Sequence, residues 1–161
     1  MVKIILTTIF LLVSVNGFSQ STKIQIGQVN NGVYELTESE KNLTKAFEWT
    51  FRDGTKVTEL HIEQMQQTYF LVATCAYQGR KRIAAVDLNQ EGIYFILNED
   101  AVFKMCSAVA CENCRFFLEN NRIVACKCEE TGTISNHCHY KTGVATTFYA
   151  NLQRAIKMFE E

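Results

Sequence analysis

Proline does not occur among the 161 residues of this chain, and glycine occurs only eight times. No two glycines lie closer together than Gly27 and Gly32, so the G-x-G-x-x-G loop that binds a dinucleotide phosphate is excluded. The P-loop pattern, G-x-S-x-G and H-E-x-x-H are missing as well. The sequence therefore leaves enzymatic activity undecided and favours a non-enzymatic protein.

An excess of charge of one sign is also missing. Sixteen Lys and Arg residues stand against seventeen Asp and Glu residues, which gives a net charge of −1. A basic field of the kind that captures nucleic acid or anionic lipid needs a clear positive excess. The composition therefore predicts no nucleic-acid partner.

The N-terminal segment predicts export. Lys3 is the only charge before the apolar run 4–13, and a stretch of small and polar residues, 14–19, follows it, which is the layout of a secretory signal peptide. Ten helical residues rise about 15 Å, roughly half of a bilayer core, so the run is too short to span a membrane. We expect residues 1–19 to be a signal peptide and residues 20–161 to form a single soluble domain without a membrane span, located in the periplasm or secreted.

The pattern after the signal segment predicts an α+β fold. Residues 23–36 look extended, with a turn at Asn30-Asn31-Gly32. A capping box formed by Thr37 and Glu40 then predicts the start of an amphipathic helix that ends at Asp53-Gly54. The apolar side of this helix consists of residues with helical spacing: Leu43, Ala46, Phe47, Thr50 and Phe51.

The middle of the chain has the period-two pattern of strands separated by turns. The predicted strands cover residues 57–63, 68–77, 80–88, 93–97 and 101–106. Their connections are short, so we expect an antiparallel meander of about five strands. Residues 69–77 are apolar on both faces, which predicts a central strand covered by helices.

A second amphipathic helix is predicted at the C-terminus. Its apolar residues recur every three or four positions, at Val144, Phe148, Leu152, Ala155 and Phe159. The fold class expected is thus a meander sheet with an N-terminal and a C-terminal helix, plus a cysteine-rich lobe at 106–138 attached to the edge of the sheet.

Six of the seven cysteines fall within the lobe 106–138. They are the candidates for disulfide bonds: Cys106, Cys111, Cys114, Cys126, Cys128 and Cys138. An exported chain meets an oxidising environment, so disulfides are the favoured chemistry. Six cysteines allow 15 pairings, and excluding a strained Cys126–Cys128 bridge leaves about twelve. Cys75, in a predicted strand, is the expected unpaired cysteine and a small buried side chain.

A structural metal site is the alternative interpretation of the same cysteines. The pairs Cys111/Cys114 and Cys126/Cys128 offer four thiolates to a tetrahedral zinc ion, and soft thiolates also bind Cu(I). His137 and His139 are further possible ligands, although exposed loop histidines are the simpler interpretation.

Two redox interpretations have weaker support. The spacing Cys106-x4-Cys111-x2-Cys114 matches that of a plant-type [2Fe–2S] loop, but the intervening residues contain no glycine. The pair Cys111 and Cys114 also has the spacing of a thiol–disulfide oxidoreductase motif, with residues 115–118 as a possible helix start. The missing proline opposes that second interpretation, because thioredoxin-like folds place a cis-proline beside the active site.

The sequence as a whole predicts an exported, non-enzymatic module with a disulfide-linked lobe. The lobe is the expected contact surface for an unidentified protein or envelope partner. The alternative is a metal-binding or redox protein that uses Cys111, Cys114, Cys126 and Cys128.

Overall fold

The computed structural model describes residues 23–159 except positions 132, 135 and 136. The predicted signal peptide, 1–19, lies outside the described residues. The elements in chain order are β1 (Ile24–Asn30), β2 (Val33–Leu36), α1 (Glu40–Phe51), β3 (Lys56–Met65), β4 (Thr68–Tyr77), β5 (Arg80–Glu91), β6 (Tyr94–Leu97), β7 (Val102–Ala108), β8 (Cys114–Glu119), β9 (Arg122–Cys128), β10 (Cys138–Val144) and α2 (Thr146–Phe159). Within this part of the chain, neither helix is long and apolar enough to cross a membrane.

Eight of these strands form one antiparallel sheet in which β5 is shared by two halves. Residues 80–88 of β5 pair with β4, and residues 82–86 also pair with β7 on the other side. The last part of β5, residues 89–91, pairs instead with β6, which leads through β1 to β2. The sheet ends approach each other where the Tyr34 hydroxyl of β2 donates a hydrogen bond to Gln64 of β3, at 2.9 Å. The sheet is therefore barrel-like and larger than the predicted five-strand meander.

Gly27 of β1 allows this curved sheet to close. A Cβ atom at this position would lie 2.3 Å from the Glu35 carbonyl oxygen of β2 and 2.3 Å from the Ile62 Cδ1 atom of β3. Both distances are far below van der Waals contact, so only a residue without a side chain fits here. The pairing register of β1 also shifts between Gln25 and Gly27, and such an irregularity bends a strand.

Three of the two-residue turns between consecutive strands share one backbone conformation. Both central residues of each turn have positive φ angles, which is the signature of a type I′ turn whose twist matches that of a hairpin. The three turns are Asn31-Gly32 between β1 and β2, Gln78-Gly79 between β4 and β5, and Asn120-Asn121 between β8 and β9. Connections this short require antiparallel pairing.

The two helices cover one face of the sheet, which we call the helix face. Leu71, Ala73 and Cys75 point from β4 into this layer and belong to the larger of the two hydrophobic cores. At its centre, the rings of Phe47 from α1 and Phe148 from α2 lie 4.6 Å apart and are fully buried. The predicted amphipathic helices therefore bury their apolar sides against the sheet.

The opposite face of the sheet is covered by the β8–β9 hairpin, and we call it the hairpin face. Phe70 and Val72 point from β4 to this side and share a second core with Phe116 and Ile123 of the hairpin. The sequence predicted that helices cover β4; the structure shows helices on one face and the hairpin on the other. The cysteine-rich lobe accordingly packs over a face of the sheet, beside the edge strand β10.

The predicted capping box does not form. Helix α1 begins at Glu40 with Ser39 in the N-cap position, and no side chain caps it. Thr37 lies two residues before the N-cap, so its hydroxyl is not in the position that a capping box requires. The Glu38 carboxylate instead accepts hydrogen bonds from the Ser39 backbone N–H and the Asn42 side chain, each at 2.9 Å.

The C-terminal helix is shorter than its apolar spacing predicted. Val144 is the last residue of β10 and is 68% exposed, whereas α2 begins at Thr146. Phe148 and Leu152 are fully buried, as predicted. The β10 strand was missing from the sequence prediction because it lies partly within the cysteine-rich segment.

Candidate functional site

Three disulfide bonds involve the β8–β9 hairpin, and two of them join it to the sheet. Cys106 of β7 is bonded to Cys126 of β9, with 5.8 Å between their Cα atoms. Cys114 of β8 is bonded to Cys138 of β10, with a Cα separation of 5.9 Å. The hairpin is thus linked covalently to two neighbouring strands of the sheet, β7 and β10.

The third bond closes the loop before the hairpin. Cys111, which precedes β8, is bonded to Cys128 at the end of β9, with a Cα separation of 5.8 Å. Cys111 is half-buried, whereas the four cysteines of the other two bridges are buried. Attack by an external thiol is therefore expected first at the Cys111–Cys128 bond.

Hydrogen bonds fix the far end of the hairpin. The Thr68 hydroxyl donates to the Asn121 carbonyl oxygen at 2.9 Å, and the Asn121 backbone N–H donates to the Gln66 side chain at 2.8 Å. Near the middle, the Tyr140 hydroxyl donates to the Ile123 carbonyl oxygen at 2.9 Å. The hairpin is therefore held along its whole length and not only at the cysteines.

The disulfide pairing separates one of the four cysteines predicted as metal ligands from the other three. Cys126 is bonded to Cys106, while the sulfur atoms of Cys111, Cys114 and Cys138 lie within 4.8 Å of one another. The hairpin register explains the grouping, because Cys114 stands directly opposite Cys128, the bonding partner of Cys111. The structure thus places Cys138, and not Cys126, beside the Cys111/Cys114 pair.

Glu130 also belongs to this cluster, although the sequence analysis did not single it out. One carboxylate oxygen lies 2.7 Å from the Cys111 sulfur and 2.6 Å from the Cys128 sulfur. The other accepts a hydrogen bond from the Asn113 backbone N–H at 3.0 Å. Glu130 follows two residues after Cys128 in the cysteine-rich segment, and that proximity was the only sequence signal that could have identified it.

The structure lacks the two features that the oxidoreductase interpretation requires, which are a bond between Cys111 and Cys114 and a helix that starts after Cys114. Cys111 and Cys114 are bonded to different partners, Cys128 and Cys138. The segment after Cys114 is strand β8 and not a helix, so no helix N-terminus is available to lower the pKa of a thiol there.

His137 and His139, the two histidines considered as further metal ligands, have different surroundings. The His137 carbonyl oxygen accepts hydrogen bonds from the backbone N–H groups of Val109 and Ala110, at 2.8 and 3.1 Å. His139 stands opposite Ser107 of β7, on the helix face, whereas its neighbour Cys138 points to the hairpin. The structure therefore separates His139 from the cluster of sulfur atoms.

Cys75 is the unpaired cysteine, as predicted. Its side chain is 1% exposed within the helix-face core. Burial raises the pKa of the Cys75 thiol to about 12, although the nearby Arg82 guanidinium opposes this shift. The thiol is therefore protonated and unreactive in the folded protein at neutral pH.

The chain matches no known family model, no curated protein and no solved structure.

Proposed function

We propose that this chain is an exported, non-enzymatic binding module whose hairpin presents a rigid contact surface to a protein partner. The observation that carries the proposal is the linkage of the hairpin to the sheet by two disulfides, with a third that fixes the loop before the hairpin. Disulfides form and persist outside the cytosol, which agrees with the predicted signal peptide at 1–19. A rigid surface loses little conformational entropy on binding, so preorganisation favours affinity.

The outward side of the hairpin has the composition of a contact surface. Arg115 is exposed there, opposite Lys127, and the Lys127 ammonium lies 3.9 Å from the centre of the Phe117 ring. Arginine and aromatic residues are enriched in protein interfaces and among the residues that dominate binding energy. The expected partner therefore offers acidic and apolar groups.

Intact mass measurement tests the export and the disulfides together. The protein recovered outside the cytosol should lack residues 1–19 and contain six oxidised cysteines. Cys75 should react with an alkylating reagent only after unfolding. A protein that retains residues 1–19, or that has free thiols within 106–138, would contradict the proposal.

Site-specific crosslinking tests the contact surface. A photo-crosslinking residue at position 117 should trap a discrete partner in cells that export the protein. The same residue at Thr58, which is exposed on β3 and outside the hairpin, is the matched control. No crosslink at position 117, or equal crosslinks at both positions, would reject the hairpin as the binding surface.

A metal-binding or redox function is the second candidate, and one observation favours it. The sulfur atoms of Cys111, Cys114 and Cys138 lie within 4.8 Å of one another, and Cys128 is bonded to Cys111. Reduction of the two bridges would release four neighbouring thiols, the donor set that zinc and Cu(I) prefer.

Metal titration of the reduced protein distinguishes this candidate. We expect one equivalent of zinc to bind the reduced chain, and Cys138→Ser to lower the affinity by about tenfold or more. Cys126→Ser is the matched control, since Cys126 lies in the other bridge. Equal effects of the two substitutions, or no binding of zinc, would reject the site.

A further inference from the structure

One end of the helix face is not covered by the helices. Ala84 and Val86 of β5 are buried beneath α1 and α2, but Arg82 lies farther along the same side of the strand. The pairing register places Arg82 opposite Ser107 of β7, and Ser107 opposite His139 of β10. Because directly opposite residues in an antiparallel sheet share a face, these three side chains form one polar row.

A cavity of about 400 Å³ lies over this row. Cationic and polar side chains dominate its lining, among them Tyr77, Arg80, Arg82, Ser107, His139 and Lys141. None of the described residues that line it is an aspartate or a glutamate. Three of these side chains carry a permanent positive charge at neutral pH, in a chain whose net charge is −1, so the cavity concentrates positive charge.

Two groups of this lining are buried without a hydrogen-bond partner. They are the Ser107 hydroxyl oxygen and the Arg82 Nε atom, both on residues that face the cavity. Ser107 as a whole is 9% exposed. A buried polar group without a partner costs free energy, and such groups are rare in folded proteins. A ligand that accepts hydrogen bonds in the cavity would satisfy both.

The guanidinium of Arg82 is already held in position. Its Nη1 atom donates to the Asp53 carboxylate and to the Thr55 hydroxyl, and the group lies 3.8 Å from the centre of the Tyr77 ring. Burial alone would raise the pKa of the Asp53 carboxyl, but hydrogen bonds from Thr55 and Arg82 outweigh it, so the pKa lies below its ordinary value. Asp53 therefore remains ionised at neutral pH and orients Arg82 while leaving Nε unpaired.

Arg80 is fixed in a similar way at the other side of the cavity. Its Nη1 atom donates a hydrogen bond to the Val109 carbonyl oxygen at 2.6 Å. In the part of the chain that the structure describes, neither Arg80 nor Lys141 forms an ion pair with a carboxylate. The charge of Asp53 therefore offsets that of Arg82 alone, and two cations are left for a ligand.

We propose that this cavity binds the oxyanion of a small ligand, either a carboxylate or a phosphate group. The Ser107 hydroxyl and Arg82 Nε donate to the anion from the floor of the cavity, and Arg80 and Lys141 supply charge from its rim. Charge-assisted hydrogen bonds to oxyanions are among the strongest that side chains form. The volume suits a small molecule and not a macromolecule. This site is separate from the outward surface of the hairpin and does not depend on the function proposed for it.

Titration of the oxidised protein with two simple probes tests the proposal. Inorganic phosphate and succinate are added separately to ¹⁵N-labelled protein at constant ionic strength, and amide chemical shifts are recorded. We expect saturable shifts at Arg82, Ser107 and His139. Saturation with phosphate alone, or with succinate alone, supports the proposal and identifies the source of the oxyanion. Saturation with neither probe would overturn it.

Substitutions locate the binding. Lys141→Gln should weaken binding of the effective probe by about fivefold, and Ser107→Ala by about threefold, the effects of losing one exposed charge and one neutral hydrogen bond. Lys157→Gln, which removes an exposed lysine from α2, is the matched control and should leave the affinity unchanged. Equal weakening by Lys157→Gln and Lys141→Gln would show non-specific attraction and overturn the site. Arg82 is not substituted, because its contacts with Asp53 and Thr55 also hold the fold.

Discussion

The two faces of the central sheet are covered in different ways. On the helix face, helices of 12 and 14 residues bury large side chains such as Phe47 and Phe148, and the described residues of that layer contain no disulfide. On the hairpin face, strands of only 6 and 7 residues form the cover; two disulfides join them to the sheet, and a third joins β9 to the loop before β8.

The difference shows how one sheet can be stabilised by two kinds of layer. Burying a large apolar side chain contributes about 1.5–3 kcal/mol, so two amphipathic helices can pack stably by burial alone. A two-stranded hairpin is marginally stable in water and has few side chains to bury. Its crosslinks restrict the unfolded chain and thereby compensate for the small core.

The largest effect is expected from the helix face. Phe148→Ala should lower the free energy of unfolding by about 3–5 kcal/mol, because it removes a fully buried ring from the centre of the core. Urea denaturation followed by circular dichroism measures the change. Met158→Ala, at a position that is 52% exposed on the same helix, should change stability by less than about 0.5 kcal/mol. A loss below about 1 kcal/mol for Phe148→Ala would mean that this layer does not depend on burial.

Removing one crosslink should have the next largest effect. Replacing Cys106 and Cys126 together by alanine should cost about 2–4 kcal/mol, the usual contribution of a disulfide that closes a loop of this length. Hydrogen exchange should show faster opening of amides in β8 and β9, with α1 and α2 still protected. Equal loss of protection in the helices would indicate that the two layers open together.

The smallest effect concerns Cys75 at alkaline pH. Burial raises the pKa of this thiol to about 12 in the folded protein, against an ordinary value of 9.0. As the pH rises, the Cys75 thiol therefore loses its proton in the unfolded chain before it does so in the folded protein. The contribution of the protonated thiol to the free energy of unfolding is present in full below pH 9 and is lost between pH 9 and pH 12. By pH 10 the loss should reach about 1 kcal/mol.

Comparison with Cys75→Ala isolates that effect. Urea denaturation at several pH values between 8 and 10 should give a steeper decline for the natural protein than for the variant. Parallel declines would show that the Cys75 thiol titrates alike in the folded and unfolded states, and that the helix-face core is open to water.

The sequence predicted the part of the sheet that local patterns determine. The strands expected at 57–63, 68–77 and 80–88 correspond to β3, β4 and β5. Turn residues with positive φ, such as Gln78 and Gly79, separate them and are visible in the sequence. The β8–β9 hairpin has an equally local signal at Asn120-Asn121, although no strands were predicted within the cysteine-rich lobe 106–138.

The candidate sites depend on contacts between distant segments. The choice among about twelve disulfide pairings follows from the position of the hairpin over β7 and β10, which has no local pattern in the sequence. The row formed by Arg82, Ser107 and His139 likewise requires that β5, β7 and β10 lie side by side. Residues that are 25 or more positions apart meet only when the sheet has formed.

The order of the disulfides along the chain has a consequence for folding. Among the six cysteines of the lobe 106–138, the first bonds to the fourth, the second to the fifth and the third to the sixth, so each bridge skips two cysteines. Oxidation of cysteines in the order of their synthesis would first join neighbours such as Cys111 and Cys114. We therefore expect folding in an oxidising compartment to require either complete synthesis through Cys138 before oxidation or a disulfide isomerase that rearranges early bridges, on a timescale of seconds to hours.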